Sequence, residues 1–361
     1  MLFTSRAGQQ KARISALSND SHLGKGIFMD FRSSHSDKKY IDYPQNSVLS
    51  AETEWSFLDL YQDIMEQDFF ERADSFEIHD YKDILSWCIS QLEGSPSAHA
   101  MLKEVCSNGW SITLDDLDGN DYVIDVAQKV LTLDNNSLVP AALGRSNYFR
   151  NVTLVTLVKA LRDIWQEKRH GGFDELYSPD YVLMMERVRA ADLCVLAVVV
   201  GWELRAEEYP DLWRHIIGSE IGDMAMIYAK SLERDPISCF NGLALRVTFQ
   251  NWYHDEARVN ACDHDALEYM DDILASANMI NPFGTKKPSK MNVEILSCLP
   301  DRSAYLQGQG TEILLDPIYS AVDSDINQSH LLHIMNDLDV VIVEDVSFRD
   351  ADLARKIFPK E

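Results

Sequence analysis

Positive charge is scarce in this chain: 33 Lys and Arg stand against 58 Asp and Glu, a formal net charge of -25. A field of that sign repels phosphate backbones and anionic bilayers. The densest basic pairs, Lys38-Lys39, Lys168-Arg169 and Lys286-Lys287, are too short to make a basic stripe. Nucleic acid and membrane surfaces are therefore not expected partners. Long apolar runs are missing too. The longest, Leu193 to Val200, falls far short of the ~18 residues of a spanning helix. Met1 to Gln10 lacks the apolar stretch of a secretory signal, so a cytoplasmic protein is expected. The 6 cysteines form no Cys-x-x-Cys pair, and Cys194 lies inside the apolar run; they read as reduced core thiols. There is no Gly-x-Ser-x-Gly elbow and no Walker phosphate loop, and Gly308-Gln309-Gly310 lacks the third glycine of a dinucleotide turn.

What is present is enough apolar side chain, 46%, to bury a core, in a length that suits one large domain or two smaller ones. Residues 1–48 are polar and without periodicity, and are expected to be a mobile arm. Residues 49–283 are expected to form a mainly helical core domain. Helical spacing recurs over Trp55 to Met65, Ile84 to Leu92 and Ala98 to Ser107. The period then shortens: Trp110 to Leu114, Tyr122 to Val126 and Lys129 to Leu133 alternate as strands, which predicts a small antiparallel sheet with a hairpin turn at Asp118-Gly119-Asn120. Two long helices follow, one from about Asn151 and one started by Ser178-Pro179 and running to about Ala206. The middle of the second is apolar all round, so it should be the central, most buried helix. Further helices are expected over 210–217, 219–233, 242–254 and 263–277, the last capped by Asp263. Residues 284–361 read as a C-terminal α/β segment, with strands at Val293 to Leu299, Glu312 to Leu315 and Val340 to Glu344 and helical pieces near 330–338 and 350–357. The expected class is α+β.

The first long helix carries Leu154, Leu157, Val158, Leu161, Ile164 and Trp165 on one side and Lys159, Arg162, Asp163 and Gln166 on the other. Its position after a small sheet and before a second long helix, together with Leu161-Arg162-x-x-Trp165-Gln166, resembles a bacterial family of metallopeptidase-like domains of otherwise unknown function, with a zincin-like order of elements. The likeness covers about residues 110–206. In that family the helix reads His-Glu-Leu-Arg-His-Ala-Trp-Gln, and the next helix carries Glu-Ala-Asp-Ala. Two histidines at i and i+4 reach one zinc, and the glutamate between them activates its water. The resemblance lays the first histidine on Lys159, the glutamate on Ala160, the second histidine on Asp163 and the acidic third ligand on Ala190. It implies a fold whose zinc ligands have degenerated, a pseudoenzyme without cofactor that binds a protein partner.

Other groupings have simpler readings. Asp163, Gln166, Glu167, His170, Glu186, Arg189 and Asp192, beside Arg162, can form an ion-pair network that orients two helices, with Glu186 and Arg189 one turn apart. Were the chain instead an active metal-dependent hydrolase with a non-standard site, Asp163, His170, Glu186 and Asp192 would be its metal or acid/base residues, with zinc as the cofactor. A third reading is a structural or regulatory helical protein unrelated to zincins. Glu167-x-x-His170 has no second copy, which excludes a di-iron bundle. His254, Asp255, Glu256, Cys262, His264 and Asp265 are metal-competent types at spacings that favour no single site.

Overall fold

The computed structural model describes residues 54–66 and 78–338, apart from 118, 171–175, 207–208 and 277–281, and the short stretches 341–343, 346–348 and 356–357. The arm expected over 1–48 lies outside the described residues. A two-residue strand β1 (Trp55–Ser56) leads into helix α1 (Phe57–Glu66), followed by α2 (Tyr81–Leu92) and α3 (Pro96–Asn108). Local chemistry sets these ends. Asp80 and Asp83 form a reciprocal capping box on α2. Ser95 caps α3 ahead of Pro96, and Gly109, at φ 68°, closes it in the left-handed conformation that an L side chain rarely adopts.

The sheet adds β2 (Ser111–Asp115), β3 (Tyr122–Asp125) and β4 (Val130–Asp134) in the order β1-β2-β4-β3. The α+β class is as expected, but the pairing is mixed. β4 folds back on β3 as an antiparallel hairpin and then lies between β3 and β2, so it runs parallel to β2. The Gly119-Asn120 turn therefore does not close a hairpin; the tight connection is the one between Asp125 and Val130. Ile112, Leu114, Tyr122, Ile124, Leu131 and Leu133 alternate into the core.

After the short α4 (Pro140–Arg145) come the two long helices, α5 (Asn147–His170) and α6 (Pro179–Ala206). α6 is buried from Val182 to Gly201 with the single exception of Met185, the central position that its apolar composition demands. Around it lie α7 (Pro210–Ile217), α8 (Gly222–Arg234), α9 (Leu243–Trp252) and α10 (Glu256–Ser276), followed by α11 (Lys290–Leu296), α12 (Gly310–Leu315), α13 (Pro317–Ser320) and α14 (Asp325–Leu338). Val341–Val343 and Val346–Phe348 pair as β5 and β6. The expected strand near 340–344 is thus present, but 293–299 and 312–315 are helical or irregular. A capping box between Ser289 and Asn292 starts α11 and places Val293 and Leu296 one turn apart on its buried side. Short apolar runs have no period by which helix and strand can be told apart. Val293, Leu296, Tyr305, Leu306, Ile313 and Tyr319 join the same core cluster as α5 and α6. A smaller cluster, including Val182, Leu183, Leu267, Met270 and Ile334, holds α14 against α6 and α10. Among the described residues no helix is long and apolar enough to cross a membrane.

Candidate functional site

α5 is buried on both sides. Its apolar residues meet the core as spaced, but Lys159, Arg162, Asp163 and Gln166 are buried as well, so the solvated Arg162/Asp163 face of a simple amphipathic helix does not exist. Burying charge requires compensation by partners, and three sets supply it.

The first set centres on Asp192. It accepts hydrogen bonds from Arg162 Nε at 2.6 Å and Nη2 at 3.2 Å, from Gln166 Nε2 at 2.6 Å and from the Tyr305 hydroxyl at 2.7 Å. The remaining Arg162 donors reach backbone, Nη1 to the Cys298 carbonyl at 2.9 Å and Nη2 to the Leu296 carbonyl at 3.0 Å. This is a bidentate pair at 0% exposure on both sides. It ties α5, α6 and the 296–305 segment into one block.

In the second set, Arg189 Nη2 donates to Asp163 at 2.8 Å and lies 3.9 Å from Glu167, while its Nε lies 4.0 Å from Glu186. The Tyr122 hydroxyl donates to the other Asp163 oxygen at 3.1 Å. Burial pushes Asp163 up to about 7, with Glu186 and Glu167 adding to it and Arg189 and Tyr122 opposing. Burial likewise raises Glu186 and Glu167 against the pull of Arg189.

Lys159 forms the third set. Its ammonium is 3.4 Å from Glu220. Burial opposes its charge, but Cys194, Glu220 and Asp121 outweigh that and push it up to about 12.

Asp163 and Glu186 are thus brought to one guanidinium, whereas Asp192 is held by a different one. His170 ends α5, and its side chain lies outside the described residues. The 254–265 group disperses: Asp255 caps α10 through the Ala257 and Arg258 amides, and His264 pairs with Glu268 on the surface. Asp263 is not a cap but a mid-helix residue bound to Arg187, Nε to Oδ1 at 2.5 Å and Nη2 to Oδ2 at 2.6 Å. Sequence reasoning missed Arg187, Tyr122, Tyr305 and Glu220. The one signal available for Arg187 was a charge placed between Met185 and Val188 in a largely apolar helix.

A family profile described as "Putative metallopeptidase family (DUF6782)" matches residues 85–306, more than half of the chain. The chain belongs to this family. No curated protein and no solved structure matches it. The family match begins inside α2, contains both long helices and reaches Tyr305, whose hydroxyl completes the shell around Asp192. A metallopeptidase family implies a metal, and the residues at the four positions singled out by the resemblance do not fit one. The charged Lys159 ammonium has no lone pair to donate, Ala160 and Ala190 carry no donor atom, and both Asp163 oxygens are engaged. Among the described residues no group of three or more His, Cys, Asp or Glu side chains is arranged to hold a metal ion. Where three carboxylates do approach one another, the Arg189 guanidinium stands among them.

Proposed function

We propose that this member of the metallopeptidase family has lost zinc catalysis and acts by binding a protein partner. The observation that carries the reading is the donor chemistry at Lys159, Ala160, Asp163 and Ala190, above all an ammonium held charged by acidic neighbours where the resemblance calls for a neutral imidazole. Binding is supported by the net charge of -25, which steers basic surfaces toward the chain.

A non-standard active site has one observation in its favour, the elevated Asp163 carboxyl. Against it, Asp163 is 3% exposed with both oxygens committed, so a substrate atom would have to displace Arg189 or Tyr122.

The test begins with full-length protein purified without tag or chelator, exposed to excess zinc and then desalted. The expected result is substoichiometric metal by plasma mass spectrometry and no chelator-sensitive hydrolysis of an unfolded protein substrate. Stoichiometric metal together with hydrolysis that a chelator abolishes would overturn the loss of catalysis. For the binding half, a partner retained by immobilised chain should elute as salt rises, because screening weakens contacts between exposed charges. Retention of no protein from a native extract at low salt would count against it.

A further inference from the structure

α14 is attached differently from the helix before it. α13 is anchored deep: the Tyr319 carbonyl accepts from Arg187 Nη1 at 3.2 Å, and the Tyr319 ring meets Tyr253 edge-on, centroids 4.8 Å apart, inside the main core. Ala321 to Ser324, outside any helix or strand, then lead to α14, which rests on α10 and α6 over the smaller apolar cluster. Among the described residues, α14 gives that cluster Ile334 and the half-buried Leu331. Beside them, Asn327 Nδ2 donates to the Asn260 carbonyl at 2.9 Å and His330 Nε2 to Asp271 Oδ2 at 2.6 Å. A segment held by so few apolar contacts opens before the rest of a fold. The floor beneath it includes Val182 and Leu183 of α6, Ala266, Leu267 and Met270 of α10, and Phe283. All of these fall within the family match, residues 85–306, whereas α14 lies beyond it. The family unit thus presents an apolar groove, and a helix from outside that unit fills it. Positions 327, 330, 331 and 334 have the i, i+3, i+4, i+7 spacing with which an amphipathic helix reads a groove.

We infer that α14 is a detachable strap over a helix-accepting groove, and that the groove takes a basic amphipathic helix of a partner protein when the strap swings away. The inference rests on the reading that the chain acts by binding a protein. Charge selects the occupant. Next in sequence to Leu267 and Met270 on α10 stand Glu268, Asp271 and Asp272, and α10 has no lysine or arginine after Arg258. α14 meets this side with histidines but no lysine or arginine of its own. Lys286 and Lys287 lie over the Tyr177 and Tyr181 rings near the start of α6, so the basic residues of an incoming helix belong on its α10 side. A lysine or arginine in the place of His330 would keep a permanent charge against Asp271.

The probe is a fluorescent peptide of residues 323–338 carrying His330→Lys, titrated into the full native chain and into the full chain carrying Ile334→Asp, which lifts α14 from the groove. The released chain should bind the peptide about tenfold or more tighter than the native one, because the native groove is open only for the fraction of time that α14 is away. The same peptide with Ile334→Asp added should not bind. Asp271→Asn in the released chain should weaken the lysine peptide by up to about fivefold, the scale of an exposed ion pair, and the unmodified peptide less. Hydrogen exchange on the native chain tests the strap without any variant: α14 amides should exchange by local opening, ahead of those of α6 and α10. Should Ile334→Asp fail to fold, that comparison and peptide binding to the native chain decide. No binding by the released chain, equal binding by both chains, or α14 exchange only on global unfolding would overturn the inference. A native dimer that Ile334→Asp dissociates would give the groove to a second copy instead. Peptide binding without retention of any native protein would uphold the groove and sink the partner reading. A partner retained equally by both chains, with no peptide bound, would leave that reading standing and sink the groove.

Discussion

Asp192→Ala is expected to destabilise the protein by about 3–5 kcal/mol, the range for removing one partner of a buried ion pair. The substitution does more than delete a contact. It leaves the Arg162 guanidinium, at 0% exposure, without its counter-charge, strands the Tyr305 hydroxyl inside the core and leaves the Gln166 amide with only its longer bond to the Leu296 carbonyl. A domain is held by only about 5–15 kcal/mol in all, so the loss takes a large share of the total and the variant should unfold at a much lower urea concentration than the native chain. The check is the urea midpoint, with Tyr305→Phe as a milder companion expected to cost about 1 kcal/mol by losing one hydrogen bond. An Asp192→Ala loss below about 1 kcal/mol would mean that Arg162 finds water or another acceptor, and that the block of α5, α6 and 296–305 is not held this way.

The pair Arg187 and Asp263 should behave similarly when either half is removed, with a loss of about 3–5 kcal/mol. Both side chains are at 0% exposure, and Arg187 Nη1 also donates to the Tyr319 carbonyl at 3.2 Å, so the pair joins α6, α10 and α13. The instructive variant is the double one. Arg187→Met with Asp263→Leu replaces two desolvated charges by apolar groups of comparable bulk, and a buried pair often gains little over such a replacement. The double variant is therefore expected to be more stable than either single variant. A double-mutant cycle measured by urea unfolding gives the coupling directly, and additive losses would show that the two residues act independently.

The pair Arg162 and Asp192 illustrates what was legible before the fold was known. Arg162, Gln166, Arg189, Asp163, Glu186 and Asp192 were singled out as a group because two adjacent helices carried opposite charges at compatible spacing. Their division into two networks was not legible. Arg162 and Asp163 are adjacent in sequence, yet on a helix neighbouring positions point about 100° apart. One reaches Asp192 and the other Arg189. Tyr122 and Tyr305 were invisible as partners, because each comes from an element far along the chain.

The amino-acid sequence by itself determined the helical periodicity, the caps at Asp80 and Ser95, the alternating strands and the burial of the 179–206 helix, because these depend on residues within a few positions of one another. It also carried enough of the family's pattern for membership to be read from the segment around Leu161 to Gln166. Only the tertiary structure decided that β4 inserts between β2 and β3, that 290–296 is a helix closing over Arg162, and that the polar side of α5 is buried rather than wet. Those outcomes depend on contacts between segments far apart in the chain, where burial and charge pairing override local propensity.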